Sequence, residues 1–200
     1  MADLPVLQSP LAYCKQLSRS SATPADASVK LGERALLGQV NLRGDPSDAG
    51  LIQSLASIFG VEWPVQPNTA SEGGGGVICW LGPDEWLIQV AQGEEGEVIA
   101  ELRAALGGRH AAVVDVSSGF VVITLGGRRA RDVLAKGCSL DLHLKAFRHG
   151  QCAQTLLAKA GVLLRPCADG TMEITVRRSF AEYLWMWLED AAWEYGLAVL

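Results

Sequence analysis

The stretch VNLRGDPSDAGLIQSL, residues 40–55, can be laid over ITLGGRRARDVLAKG, residues 123–137. In the same frame WLGPDEWLIQV, residues 80–90, lies over LRPCADGTMEITV, residues 164–176. Each half of the chain then reads strand, helix, strand, strand, helix. That order predicts two pseudo-repeated split β-α-β units in one α+β domain, with a mainly antiparallel sheet and helices packed on it. With 200 residues, the chain is long enough for one good core and short for two, so both units belong to a single domain.

The elements are punctuated as they should be. ALLGQVNLRG is a strand ending in glycine. SDAGLIQSLASIFG is a helix with Ser47 or Asp48 as its cap and Gly60 as its stop. VICWLGPDEWLIQV is two strands around a Gly82-Pro83-Asp84 turn, and EEGEVIAELRAALGG is a second helix. The second half repeats this with GFVVITLGG, RRARDVLAKGC, QTLLAKAGVLLRP and TMEITVRR. PNTASEGGGG reads as a flexible loop, and since a strand follows it, not a Lys-Ser pair opening a helix, it is no phosphate-binding loop. Residues 1–30 read as an extended N-terminal arm and 31–200 as the domain. Pro5, Pro10 and Pro24 interrupt the arm, with one helical turn around PLAYCKQL. The arm is either a frayed tail or a strap on a partner. Leu4, Leu7 and Tyr13 are too apolar for a purely solvated tail.

The last helix, SFAEYLWMWLEDAAWEYG, holds three of the six tryptophans. Phe180, Tyr183, Leu184, Trp187, Leu188 and Ala191 form one helical stripe, the expected core face. Trp185 and Trp193 fall on a second face with Glu182 and Glu189, flanked by Met186. Ser179 and Glu182 fit a capping box, and Gly196 ends the helix. Indoles beside acids suggest a face that meets something other than water. Leu4, Leu7, Tyr13, Trp185, Met186 and Trp193 are therefore the candidate partner-interface residues, with Trp185 and Trp193 at a subunit boundary or under the N-terminal arm.

Chemistry is scarce. A formal net charge of −5 argues against nucleic-acid binding. No apolar run approaches the ~20 residues of a membrane span, and the N-terminus lacks a secretory pattern. Five cysteines with no close pair suit a reducing cytoplasm. Cys138, His143, His149 and Cys152 are potential zinc ligands, but their spacing is not that of tight ligand pairs. Asp115, Ser117 and Ser118 between two strands either cap a turn or bind a ligand. No catalytic, cofactor or metal residues are assigned.

LGPDEWLI, VDVSSGFVVITLGG, VLAKGCSLDL, F-x-x-GQCAQTLLAKAGVLL and SFAEYLWMWLEDAAWEYG occur in this order. The set resembles the gamma subunit of heterotetrameric sarcosine oxidase over roughly Leu31 to Gly196. More distantly, the second half looks like the folate-binding aminomethyltransferases of the glycine cleavage system. The resemblance implies a complex that oxidatively demethylates sarcosine to glycine with hydrogen peroxide and passes the one-carbon unit to tetrahydrofolate. FAD, FMN, NAD, tetrahydrofolate and zinc would belong to alpha, beta and delta subunits, and this chain would be a non-catalytic assembly subunit, inactive alone. In the transferases an acidic residue after the G-x-L/I strand serves the folate. Here that stretch reads Gly161-Val162-Leu163-Leu164-Arg165-Pro166, with no carboxylate. The alternative is a stand-alone folate-binding transferase-like protein or regulator.

Overall fold

The computed structural model describes residues 7–200 of the chain. An N-terminal segment contributes α1 (Ala12–Leu17) and β1 (Val29–Arg34). The first unit follows as β2 (Gly38–Arg43), α2 (Ala49–Phe59), β3 (Ala70–Gly73), β4 (Gly76–Gly82), β5 (Glu85–Val90), α3 (Glu95–Leu106) and β6 (Ala112–Asp115). The second is β7 (Phe120–Gly126), α4 (Ala130–Ala135), β8 (Ala153–Leu157), β9 (Ala160–Pro166), β10 (Met172–Arg177), α5 (Ala181–Ala192) and β11 (Leu197–Val199).

The two units make two sheets, with strand orders β3-β4-β5-β2-β6 and β8-β9-β10-β7-β1-β11. Without β1 the orders correspond strand for strand, so the pseudo-repeat is a repeat of topology. β1 is an insertion: it pairs antiparallel with β7 and parallel with β11. Each unit also carries an edge strand and a closing strand beyond the three read from sequence. These are short, and in β8 and β9 the sequence reading merged two strands. The chain turns between them at Ala158, which has φ 53°.

Period-two alternation explains why the sheets stack. On β5, Trp86, Ile88 and Val90 face the α2–α3 side, while Leu87 faces the other way, into a cluster with Val77, Cys79, Cys152 and Leu163. On β10, Met172, Ile174 and Val176 join the core under α4 and α5. The molecule is thus layered helix, sheet, sheet, helix, with a thin mixed seam between the sheets. Among the described residues no helix is long and apolar enough to cross a membrane.

Local chemistry sets the joints. Asp48 caps α2 by accepting from Leu51 N at 2.9 Å, and Gly60 ends it in a left-handed conformation. The glycine run is a hairpin turn between β3 and β4, not a loose loop. Gly74 and Gly75 have φ of +56° and +82°, and a Cβ on Gly74 would lie 2.2 Å from Phe59 O. The Ser179–Glu182 capping box does not form: the N-cap of α5 is Phe180, without a side-chain bond, and a 3-10 turn over Arg178–Phe180 feeds the helix. This tighter turn supplies the entry that the box would have supplied.

Candidate functional site

The N-terminal segment lies along the second face of α5. Leu11 is fully buried in the core with Leu184, Trp185 and Leu188. Arg178 donates to Gln8 O at 3.1 Å near the start of α5. Ser21 Oγ donates to Trp193 O at 3.2 Å beyond its end. Ser21 and Ala22 donate backbone bonds to Leu197 O, at 2.8 and 3.0 Å. Residues 8–22 are therefore a strap on their own domain, where the sequence left open a frayed tail or a strap on a partner. A proline-punctuated segment cannot build a core, but it can complete one.

Trp185 is at 0% exposure, and its Nε1 donates to Ser18 Oγ at 2.8 Å. Of the two places open to it, a partner interface is corrected and the N-terminal arm holds: the chain's own strap covers it. With that cover available, α5 buries Ala181, Leu184, Trp185, Leu188, Ala191 and Ala192. The buried stripe is turned from the one read in sequence, leaving Phe180 and Tyr183 exposed. Trp187 is half-buried against Gly137, where a Cβ would come within 2.6 Å of its ring. Burial, then the carboxylates of Glu182 and Glu189, push the Cys14 thiol up. Of the other expected contact residues, Leu4 lies outside the described residues. Leu7, Tyr13, Met186 and Trp193 are all exposed, Met186 at 64% and Trp193 at 51%.

The seam holds polar groups that sequence reasoning missed. Arg165 on β9 stands opposite Glu173 on β10. Its Nε and Nη2 donate to Glu173 Oε2 at 3.0 and 2.6 Å, and its Nη1 reaches Glu72 Oε2, in the other sheet, at 3.0 Å. Arg34 donates to the second Glu173 oxygen at 2.6 Å. Burial acts to lower the Arg165 pKa, but the Glu173 charge overrides it and holds the guanidinium ionised. Gln89 donates to Thr175 Oγ1 at 3.0 Å and to Gln39 Oε1 at 3.4 Å. The signal in sequence is a polar residue breaking an apolar run, as Gln89 breaks WLIQV.

Cys152 joins this seam, its Sγ within hydrogen-bond reach of two carbonyls, Thr69 O at 3.2 Å and Trp80 O at 3.4 Å. Hydrogen bonding to Cys152, then burial, pushes the Cys79 thiol up, and the same bond lowers that of Cys152. The four potential zinc ligands are not brought together. Cys138 meets Thr155, while His143 lies in an exposed turn. Among the described residues there is no metal-holding group of three or more His, Cys, Asp or Glu side chains. Asp115 caps its turn, accepting from Ser117 N at 2.9 Å and Ser117 Oγ at 2.6 Å, and Ser117 Oγ accepts from Gln39 N at 2.8 Å. This turn borders a cleft of about 590 Å³ whose wall includes Arg34, Gln39, Phe120 and Arg178.

Comparison with known proteins gives a consistent picture. Residues 43–194 match the family described as "Sarcosine oxidase, gamma subunit family". The sarcosine oxidase subunit gamma of Corynebacterium sp. (strain P-1) is 36% identical over 192 residues, covering 96% of this chain and 92% of that one. A chain in the heterotetrameric sarcosine oxidase of Corynebacterium sp. U-96, solved in complex with pyrrole 2-carboxylate, superimposes with TM-score 0.86 at 31% identity. It covers 97% of this chain and 98% of that chain. The aminomethyltransferase T of the glycine cleavage system of Bartonella henselae aligns with TM-score 0.69 at 14% identity, over 96% of this chain and 58% of that one, which is a likeness of fold.

Proposed function

Because the chain belongs to the sarcosine oxidase gamma subunit family, we propose that it is a non-catalytic assembly subunit of a cytoplasmic heterotetrameric sarcosine oxidase. Its partners are the alpha, beta and delta subunits. The complex demethylates sarcosine to glycine with release of hydrogen peroxide and transfer of the one-carbon unit to tetrahydrofolate. FAD, FMN, NAD, tetrahydrofolate and zinc reside in the other subunits.

The near full-length superposition on a chain of a heterotetrameric oxidase carries this reading. The seam supports it. Where the transferase resemblance implies a carboxylate that serves folate, this chain has Arg165, a cation tied to Glu173 and Glu72. Those ion pairs join the two sheets and hold the guanidinium buried, 5% exposed. Burial of such a pair favours a fixed arrangement of the sheets more than it adds net stability.

The test is expression of the chain alone and together with the larger subunits. Alone it is colourless and gives no sarcosine-dependent peroxide, and its omission from co-expression lowers the yield of assembled oxidase. A flavin spectrum from the chain alone overturns the assignment. Tight tetrahydrofolate binding by the isolated chain supports the stand-alone folate reading instead.

A further inference from the structure

We infer that the outer face of α5, with the adjoining turns of α1, docks a basic protein surface carried by a larger subunit of the oxidase. The inference rests on the subunit reading above and adds the place and chemistry of the contact. Glu182, Met186, Asp190 and Trp193 recur at i, i+4, i+8 and i+11, which makes one ridge along the helix. All four are exposed. Tyr13 and Leu17, four apart on α1, which packs on α5, are also exposed, because Leu11 and Ser18 turn inward to the core and to Trp185. Single exposed apolar residues are ordinary, but an indole and a thioether grouped on one helix ridge mark an interaction surface.

Charge decides what kind of surface fits. The exposed charged groups of α5 are all carboxylates: Glu182 and Asp190, with Glu189 at the edge of the strap. Among the described residues none of the three is in an ion pair, and the cations on flanking segments, Lys15, Arg19, Lys159, Arg177 and Arg178, do not pair with them. Glu194 is already paired with Lys136. A second copy of this chain meeting the same face through a twofold axis would set acid against acid. An anionic membrane would be repelled in the same way. A protein face with lysine or arginine around an apolar centre satisfies both parts of the ridge, the indole and thioether in the middle and the acids at the rim.

The experiment is co-purification of the complete oxidase with this chain as wild type or variant, at about 50 and 500 mM salt. The paired substitution Glu182→Lys with Asp190→Lys is expected to lower retention at least tenfold at low salt. The milder Glu182→Gln with Asp190→Asn pair lowers it less, and only at low salt. Met186→Ser with Trp193→Ser lowers it at both salt concentrations. Glu97→Lys with Glu101→Lys, on exposed positions of α3, leaves it unchanged. Retention of the α5 charge-reversal variant within twofold of wild type overturns the docking inference while the subunit reading stands. Self-association abolished by Trp193→Ser, or binding to anionic vesicles, also overturns it. A wild-type chain that never joins the larger subunits overturns both readings.

Discussion

Replacing Trp185 by alanine tests whether the strap completes the core. The indole is wholly buried and hydrogen-bonded to Ser18 at 2.8 Å. A tryptophan buries up to ~250 Å², and at roughly 25 cal/mol per Å² that is about 6 kcal/mol as an upper bound. Alanine keeps part of that contact and the site relaxes in part, so the loss falls in the ~3–5 kcal/mol range of core aromatic deletions. The bond from Nε1 accounts for about 1 kcal/mol of it. Against a domain stability of about 5–15 kcal/mol, this is a large fraction. The melting temperature should fall by on the order of 10 °C. Urea unfolding of the purified chain, followed by far-UV circular dichroism, gives the difference directly. Trp185→Phe keeps most of the ring area and should lose about 1–2 kcal/mol. Trp193→Ala, at a half-exposed site, should lose less than about 1 kcal/mol. A loss under about 1 kcal/mol for Trp185→Ala refutes the reasoning, since a fully covered indole cannot be removed so cheaply.

Three further outcomes follow from the same structure. Arg165→Met leaves Glu173 buried with Arg34 as its remaining cation and should destabilise the purified chain by about 3–5 kcal/mol in urea. Burial, then Glu173, pushes the Cys167 thiol up to about 11. It should therefore resist iodoacetamide at pH 8 and react only as pH approaches that value. Because the unfolded thiol ionises near pH 9 and the folded one later, stability should fall as pH rises from about 9 to 11, and Cys167→Ser should flatten that decline. Gly74→Ala places a methyl against the Phe59 carbonyl and should destabilise clearly more than Gly75→Ala. The latter meets open space and bears only the ~1 kcal/mol conformational penalty. Equal effects of the two substitutions would sink that account of the turn.

The sequence by itself determined the units. The order of the main strands and helices, a cap at Ser47 or Asp48 and the Gly60 stop of α2, and the Pro83–Asp84 turn are written in local chemistry, because each depends on residues only a few positions apart. Family kinship was legible for the same reason, in ordered short motifs. Tertiary structure decided what long-range pairing decides. β1 enters the second unit between β7 and β11, and nothing within VKLGER names those neighbours. The duplicated units could have formed one continuous sheet. They stack as two because Leu87, Cys79 and Leu163 form a second apolar side on strands whose other side already serves the helices. Arg165 and Glu173 read as a lone cation and a lone acid until strand register set them opposite each other. The second face of α5 was visible as an anomaly, indoles beside acids, but helical periodicity cannot say what lies over a face. The strap, about 170 residues earlier in the chain, took Trp185 into the core and left Met186 and Trp193 to the surface.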